Sequence, residues 1–418
     1  MTEKNRLLTG NKPMPHKPLN PALLALTASA LAIPGMAPAQ DLANDPMPAA
    51  QRDKLLLDYR FSAYREGNIP GGKTSNGQAS ARYDVDSSQF RIASRLNART
   101  DVSADLTVET MSGASPWFVI PDAQGRPVQV MSGASIHDFR QALALRGNER
   151  FGNLTGSLVG GISNERDWRA ANGGLEGSWD LNNKLTTLSA GTGYTRNEVD
   201  PTEGQSQRFP TRISHAHNYE GNGFLGLAQV LGDETVIQTS VGFTYQNGYL
   251  SDPYKLAYVA GNTVNDTRPG NRRRLAWNTR LRQNIPALDA TVHLDYRWYH
   301  DDWGITSHTA EAAWYQTLPA SWALVPRLRW YTQSEADFYQ PYYNFQMSNG
   351  LYSSDYRLSP FGALSESIGL YKKLGSWNLS LRYEHYDSGK AYSIRRIEVD
   401  NPGLVRYQVF SVGIVKTF

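Results

Sequence analysis

The stretch Leu404-Val-Arg-Tyr-Gln-Val-Phe-Ser-Val-Gly-Ile-Val-Lys-Thr-Phe418 alternates apolar side chains with small or polar ones and stops on an aromatic. Phe410, Val412, Ile414 and Phe418 fall on one face, and Ser411, Gly413 and Thr417 on the other. A period of two assigns alternate residues to opposite faces of a strand. Lys416 interrupts the apolar face near its end, where a long side chain can lie along apolar surface and carry its charge to the membrane boundary.

Working outward, the same alternation recurs upstream. Val292, Leu294, Tyr296 and Trp298 share one face against His293, Asp295, Arg297 and Tyr299. Trp377, Leu379, Leu381 and Tyr383 oppose Asn378, Ser380, Arg382 and Glu384, and Val102, Ala104, Leu106 and Val108 oppose Ser103, Asp105, Thr107 and Glu109. These segments run about ten residues or more, the length that crosses a bilayer when a strand is tilted by roughly 45°. Strands of a soluble sandwich usually run nearer five or six residues. The reading is an all-β fold: a transmembrane antiparallel up-and-down β-barrel of about 16 strands. The strands are expected near 53–64, 87–97, 102–111, 136–147, 151–163, 168–180, 186–196, 215–230, 235–250, 272–284, 290–301, 305–316, 322–333, 359–374, 377–388 and 404–418. Connections alternate between short and long, as expected when tight periplasmic turns face longer outer loops. The long ones are 65–86, 112–135, 197–214, 251–271, 334–358 and 389–403.

The N-terminus fits an exported chain. Lys4, Arg6, Lys12 and Lys17 precede an apolar stretch from Ala22 to Ile33, and Ala37-Pro38-Ala39 matches the small-x-small cleavage rule. Residues 1–39 are therefore read as a signal peptide, 40–52 as a periplasmic lead too short for a plug domain, and 53–418 as an outer-membrane barrel. The apolar stretch falls well short of the roughly 20 residues of a spanning helix. Removing 1–39 takes four of the 42 basic and one of the 39 acidic residues, leaving 38 of each. The net charge of +3 thus belongs to the signal, and no basic footprint for nucleic acid remains. The mean hydropathy of −0.50 does not argue against a membrane barrel, in which only every second residue meets lipid. Ten Trp and 23 Tyr would furnish aromatic girdles. With no cysteine there is no disulfide, thiolate metal site, thiol nucleophile or covalently attached haem.

By alternation the inward face carries Arg91, Arg95, Arg274, Arg280, Arg282, Arg297, Arg327, Arg329 and Arg382 with Asp295, Glu311 and Glu384, the candidate pore-lining set. Two readings stay open for it: arginine–carboxylate pairs that cross-link the wall, or a ladder that tunes ion selectivity. Sixteen strands leave an aqueous lumen unless loops fill it. Met111-Ser112-Gly113-Ala114-Ser115 precedes Pro116-Trp117 and is repeated as Met131–Ser135. It marks either a loop folded into the pore with Trp117 as anchor, or tight-turn chemistry at the feet of loop 112–135. His300-Asp301-Asp302-Trp303-Gly304 reads as a tight outer hairpin, with Gly304 at positive φ and Trp303 in the girdle. Its carboxylates, with His300 and His308, are a weaker candidate for a divalent cation, as is the pair His215 and His217. Ser307 and His308 fall on opposite faces and cannot act as nucleophile and base, and no hydrolase or nucleotide fingerprint is present. Neither an enzyme nor a cofactor is expected.

Ser112–Trp117, Arg297–Gly304 with Ser307-His308-Thr309, and Trp330-Tyr-Thr-Gln-Ser-Glu-Ala-Asp-Phe-Tyr339 together resemble one group: an uncharacterised, domain-of-unknown-function family of Gram-negative outer-membrane proteins. The resemblance implies a β-barrel among outer-membrane lipids. It implies a terminal strand (Phe410, Val412, Ile414, Phe418) that serves as the signal to the barrel-assembly machinery. It also implies gene neighbours of flavin-transferase or thioredoxin type, hence a periplasmic or surface redox partner, or metal handling. Three functional readings follow: a porin-like channel for small polar solutes or ions, a structural or docking barrel, and, remotely, an outer-membrane hydrolase.

Overall fold

The computed structural model describes residues 55–418, so the expected signal peptide and lead lie outside the described residues. The described residues contain eighteen strands: β1 Leu56–Glu66, β2 Asp84–Arg95, β3 Thr100–Pro121, β4 Pro127–Phe151, β5 Leu154–Asn164, β6 Trp168–Leu181, β7 Thr186–Val199, β8 Ala216–Val230, β9 Thr235–Gly248, β10 Leu256–Val259, β11 Asn262–Asn265, β12 Asn271–Ile285, β13 Ala290–Asp301, β14 Thr306–Leu318, β15 Trp322–Gln333, β16 Phe361–Leu374, β17 Trp377–Gly389 and β18 Arg406–Thr417. Sixteen of them close a barrel in which each strand pairs with its sequence neighbours, β12 succeeding β9. The hairpin β10–β11 stands outside the wall.

Closure is made by the stretch with which the sequence reading began. β18 pairs antiparallel with β17 on one side and β1 on the other, Ile414 facing Leu379 and Tyr59. The Phe418 N–H donates to the Leu55 carbonyl at 2.9 Å. Every backbone group of an open edge in lipid would cost several kcal/mol, so this seam removes the two edges that a linear sheet would leave.

The apolar face points outward. Leu158, Ile162, Leu175 and Leu225 are each more than 60 % exposed in this monomer, which only a hydrocarbon surrounding makes favourable. Trp179, Trp322, Trp377 and Phe418 lie on this face at the strand ends that carry the short turns. The ammonium groups of Lys372 and Lys416 sit 4.9 and 4.5 Å from the rings of Trp322 and Trp377, a cation–π contact at a girdle. Lys416 reaches past its ring to the Ser376 hydroxyl at 2.6 Å, the placement expected of a snorkelling side chain.

Seven tight turns close one end, at 96–99, 152–153, 182–185, 231–234, 286–289, 319–321 and 375–376. The left-handed residues Asn182, Asn183, Lys184, Asp289, Ala320 and Ser321 sit in them. Inside β15 the ladder to β14 lapses between Ala313–Arg327 and Gln316–Leu324. Pro326 lies there, and a proline has no N–H to give.

The expectation for 112–135 requires correction. These residues are not a loop: β3 and β4 continue as one long hairpin, joined by a short turn at 122–126. Likewise 251–271 is not wholly irregular, since it holds β10 and β11.

Candidate functional site

The inner wall is built by the alternation itself. Arg91, Arg95, Arg274, Arg280, Arg282, Arg297, Arg327, Arg329 and Arg382, with Asp295, Glu311 and Glu384, lie on the face opposite the exposed apolar side chains. Most are joined across strands. Arg91 meets Asp105 at 2.7 Å, Arg274 meets Glu220 at 2.6 Å, Arg282 meets Asp295 at 2.7 Å and Arg327 meets Glu311 at 3.3 Å. Arg382 bonds Glu384 at 2.8 Å, and the Ser365 hydroxyl donates to the same carboxylate at 2.6 Å. Arg280 lies 3.9 Å from Asp295, Arg297 lies over the Tyr299 ring, Arg95 stands opposite Asp101, and Arg329 stands opposite Glu311. Beyond the candidate set, Arg140 reaches Glu109 at 2.7 Å, and Arg146 grips both oxygens of Glu176. Wall cross-linking is therefore present, and forked pairs of this kind fix geometry as well as charge.

Above the wall the long connections meet one another. The β3–β4 hairpin leaves the wall after Ser112, where pairing to β2 ends, and from there its two strands pair with each other, apart from an isolated bridge between Gln129 and Thr74. Gly113 marks the departure: its φ is +125°, and a Cβ there would collide with the Arg82 carbonyl. The repeated pentapeptides are offset across the hairpin: Met111, Ser112 and Gly113 stand opposite Asp138, His137 and Ile136, only Ala114 stands opposite a residue of the other copy, Ser135, and the Ser115 N–H donates to the Ser132 hydroxyl at 3.2 Å. Both copies lie within extended strands rather than in a turn, and beyond the first the ladder slips on both sides of Pro116.

The hairpin then touches loops from all round the rim. Lys255 donates to the Pro116 carbonyl at 3.0 Å, Tyr342 to the Gly125 carbonyl at 2.7 Å, and the Ser75 N–H to the Gln129 carbonyl at 2.9 Å. Trp117 meets Phe209 edge to face at 6.2 Å. These partners come from four different outer connections. A hairpin that reaches all of them crosses the mouth of the barrel.

A buried ionic knot ties the cap. Arg268 donates to Asp266 at 2.7 Å and to Asp355 at 2.9 Å, Arg357 bridges Asp355 and Asp252 at 2.8 Å, and Lys255 lies 3.9 Å from Asp355. Burial would raise the Asp355 carboxyl, but Arg357, Lys255 and Arg268 together hold it well below the usual carboxylate range. Asp252 is lowered in the same way, burial being outweighed chiefly by Arg357 and Lys255. A second tie joins the first and last loops: Arg82, paired with Glu66, donates to the Gly403 carbonyl at 2.9 Å.

The hairpin Asp301–Gly304 differs from its expected form. Asp301 is buried and accepts from Tyr299, Arg272 and the N–H groups of Trp303 and Ile305. Asp302 accepts from the Arg273 N–H at 2.9 Å. Trp303 does not stand in the girdle: it is 4 % exposed, packs edge to face on Phe338, and donates to the Asn271 carbonyl. Gly304 has the expected positive φ, +90°, and a Cβ there would strike Asp337. A carboxylate so fully engaged by donors of its own chain has little left to offer a cation. His308 points outward to Tyr296, whereas Ser307 points inward, so the two stand apart. His215 bonds Asp200, and its ring lies 5.2 Å from that of His217.

The closed sixteen-strand cylinder, the apolar exterior and the charged interior define an outer-membrane β-barrel. The chain belongs to a family of proteins of unknown function, DUF3570, whose model matches residues 23–396. No curated protein sequence matches it. Among solved structures it is similar to a bacterial polysaccharide outer membrane secretin (8 % identity, 88 % of this chain and 99 % of that one, TM-score 0.47). It is also similar to OccK1 of Pseudomonas aeruginosa (8 %, 87 % and 98 %, TM-score 0.39) and to the siderophore receptor PirA of Pseudomonas aeruginosa (11 %, 80 % and 56 %, TM-score 0.40). The chain therefore matches a little over half the length of that receptor. These likenesses are remote, and the fold rests on the barrel itself.

Proposed function

We propose that the protein is an outer-membrane channel for small polar solutes or ions, with an ordered and narrowed outer mouth. The observation that carries this reading is the charged inner face of a sixteen-strand cylinder. A barrel of that size encloses water rather than a packed core, and the charged side chains of the wall lie on the face turned toward that lumen. The hairpin across the mouth sets the size limit, as a constriction does in a selective pore.

Reconstitution into planar lipid bilayers tests it. The purified barrel is expected to give stepwise currents, and removal of residues 116–130 to enlarge the unit step. Electrical silence of both forms would overturn the channel.

A second reading, a structural or docking barrel for an extracytoplasmic redox partner, is favoured by one observation. Phe345, Ile394 and Val399 stand on the outer loops at 58 to 69 % exposure. Silent bilayers together with a partner captured through these side chains would support it.

A further inference from the structure

Charge on the inner wall is unevenly shared around the barrel. Midway along β12–β15 the ladder places Arg280, Asp295, Glu311 and Arg329 in one row. The next row toward the short turns holds Arg282 and Arg327, and the next toward the loops holds Arg297. Five guanidinium groups thus share two carboxylates, an excess of three positive charges within three rows of four strands. Half a turn round the wall, on β2–β5, pairs such as Arg91–Asp105 and Arg140–Glu109 keep the two signs close to balance.

A guanidinium stays charged whatever it bonds, so the three positive charges beyond those of Asp295 and Glu311 make this side of the lumen electropositive. The existing pairs leave the array held in place rather than neutralised: Arg282 is fixed on Asp295 at 2.7 Å, and Arg327 donates to the Tyr315 hydroxyl at 3.2 Å. A fixed array of planar forks recognises oxyanions better than a set of mobile ammonium groups would. Rings of arginine are a physical basis for anion and phosphate selectivity in pores.

We propose that this patch is an anion-selecting station, and that the solutes of the channel are small molecules carrying two or more oxyanion charges, phosphates or polycarboxylates. The inference rests on the channel reading and narrows it to a substrate class. A passing solute would exchange hydration for guanidinium contacts on β12–β15, while the nearly balanced wall on β2–β5 neither attracts nor repels it.

The test uses the full chain in bilayers under a potassium chloride gradient, with pyrophosphate and citrate added separately as probes. The reversal potential is expected to have the sign of chloride permeation, and millimolar pyrophosphate or citrate to block the current. The double variant Arg280→Gln, Arg329→Gln should raise the half-blocking concentration about tenfold, whereas Lys372→Gln, on the outward face, should leave it unchanged. Block by only one probe assigns the class to phosphates or to polycarboxylates. If the double variant does not fold, Arg329→Lys, which keeps the charge and removes the fork, should keep the sign of selectivity and weaken the block. Unselective or cation-selective current without block overturns the station and leaves the channel standing. Silent bilayers overturn the channel instead. Calorimetric titration of the detergent-solubilised barrel with pyrophosphate then decides the patch: binding lost in the double variant upholds it, and no binding overturns it.

Discussion

Asp355 illustrates how much a single side chain can hold in this protein. Its carboxylate is fully buried between Arg268, Arg357 and Lys255, so neutralising it leaves the buried Arg268 and Lys255 and the exposed Arg357 one counter-charge short, with only Asp266 and Asp252 remaining. Breaking a buried pair from one side costs on the order of 3–5 kcal/mol. Asp355→Asn is therefore expected to loosen loops 251–271 and 334–358, read as faster hydrogen exchange there, while the wall strands keep their protection. The depressed carboxyls of Asp355 and Asp252 contribute stability that is present above the ordinary carboxylate range. That stability is lost only as pH falls well below this range, so the cap should stay closed in mild acid. Glu165, in the β5–β6 turn, behaves oppositely. Burial, despite Arg140 and with help from Asp138, pushes its carboxyl up to about 7. Its folded form holds the proton more tightly than the unfolded chain does, so its contribution is greatest in acid and fades as pH rises toward about 7. Glu165→Gln should abolish a loss of protection in this turn between mildly acid and alkaline pH; an unchanged pH profile in the variant would refute the assignment.

At the scale of elements, what was legible in the sequence follows from what each face meets. Strands such as β13 and β17 have one face toward lipid and the other toward charged neighbours, so their chemistry alternates with period two and their limits fall within a residue or two of expectation. The cap has no such period. Its contacts join residues far apart in sequence, Lys255 with Pro116 and Arg82 with Gly403, and no local pattern announces them. That is why Met111–Ser115 and its repeat read as loop feet and not as part of an extended hairpin. Trp303 was misplaced for a related reason. An aromatic at a strand end belongs in a girdle by default, and its true partner, Phe338, arrives from the following outer connection.

For the whole molecule, function follows from which half of each strand touches hydrocarbon and which encloses water. The seam between β1 and β18, the tight turns at one end and the tied loops at the other make a container whose inner chemistry is set by side-chain parity alone. The absence of cysteine from the chain makes that parity directly measurable, since any introduced thiol is the only one present. The decisive experiment is a single-cysteine scan of β13 in proteoliposomes with a charged, water-soluble maleimide, one variant at a time from Val292→Cys through His293→Cys, Leu294→Cys, Asp295→Cys and Tyr296→Cys to Arg297→Cys. Labelling at 293, 295 and 297 with protection at 292, 294 and 296 is the predicted result. Equal labelling of both sets, or the reverse pattern, would contradict the account.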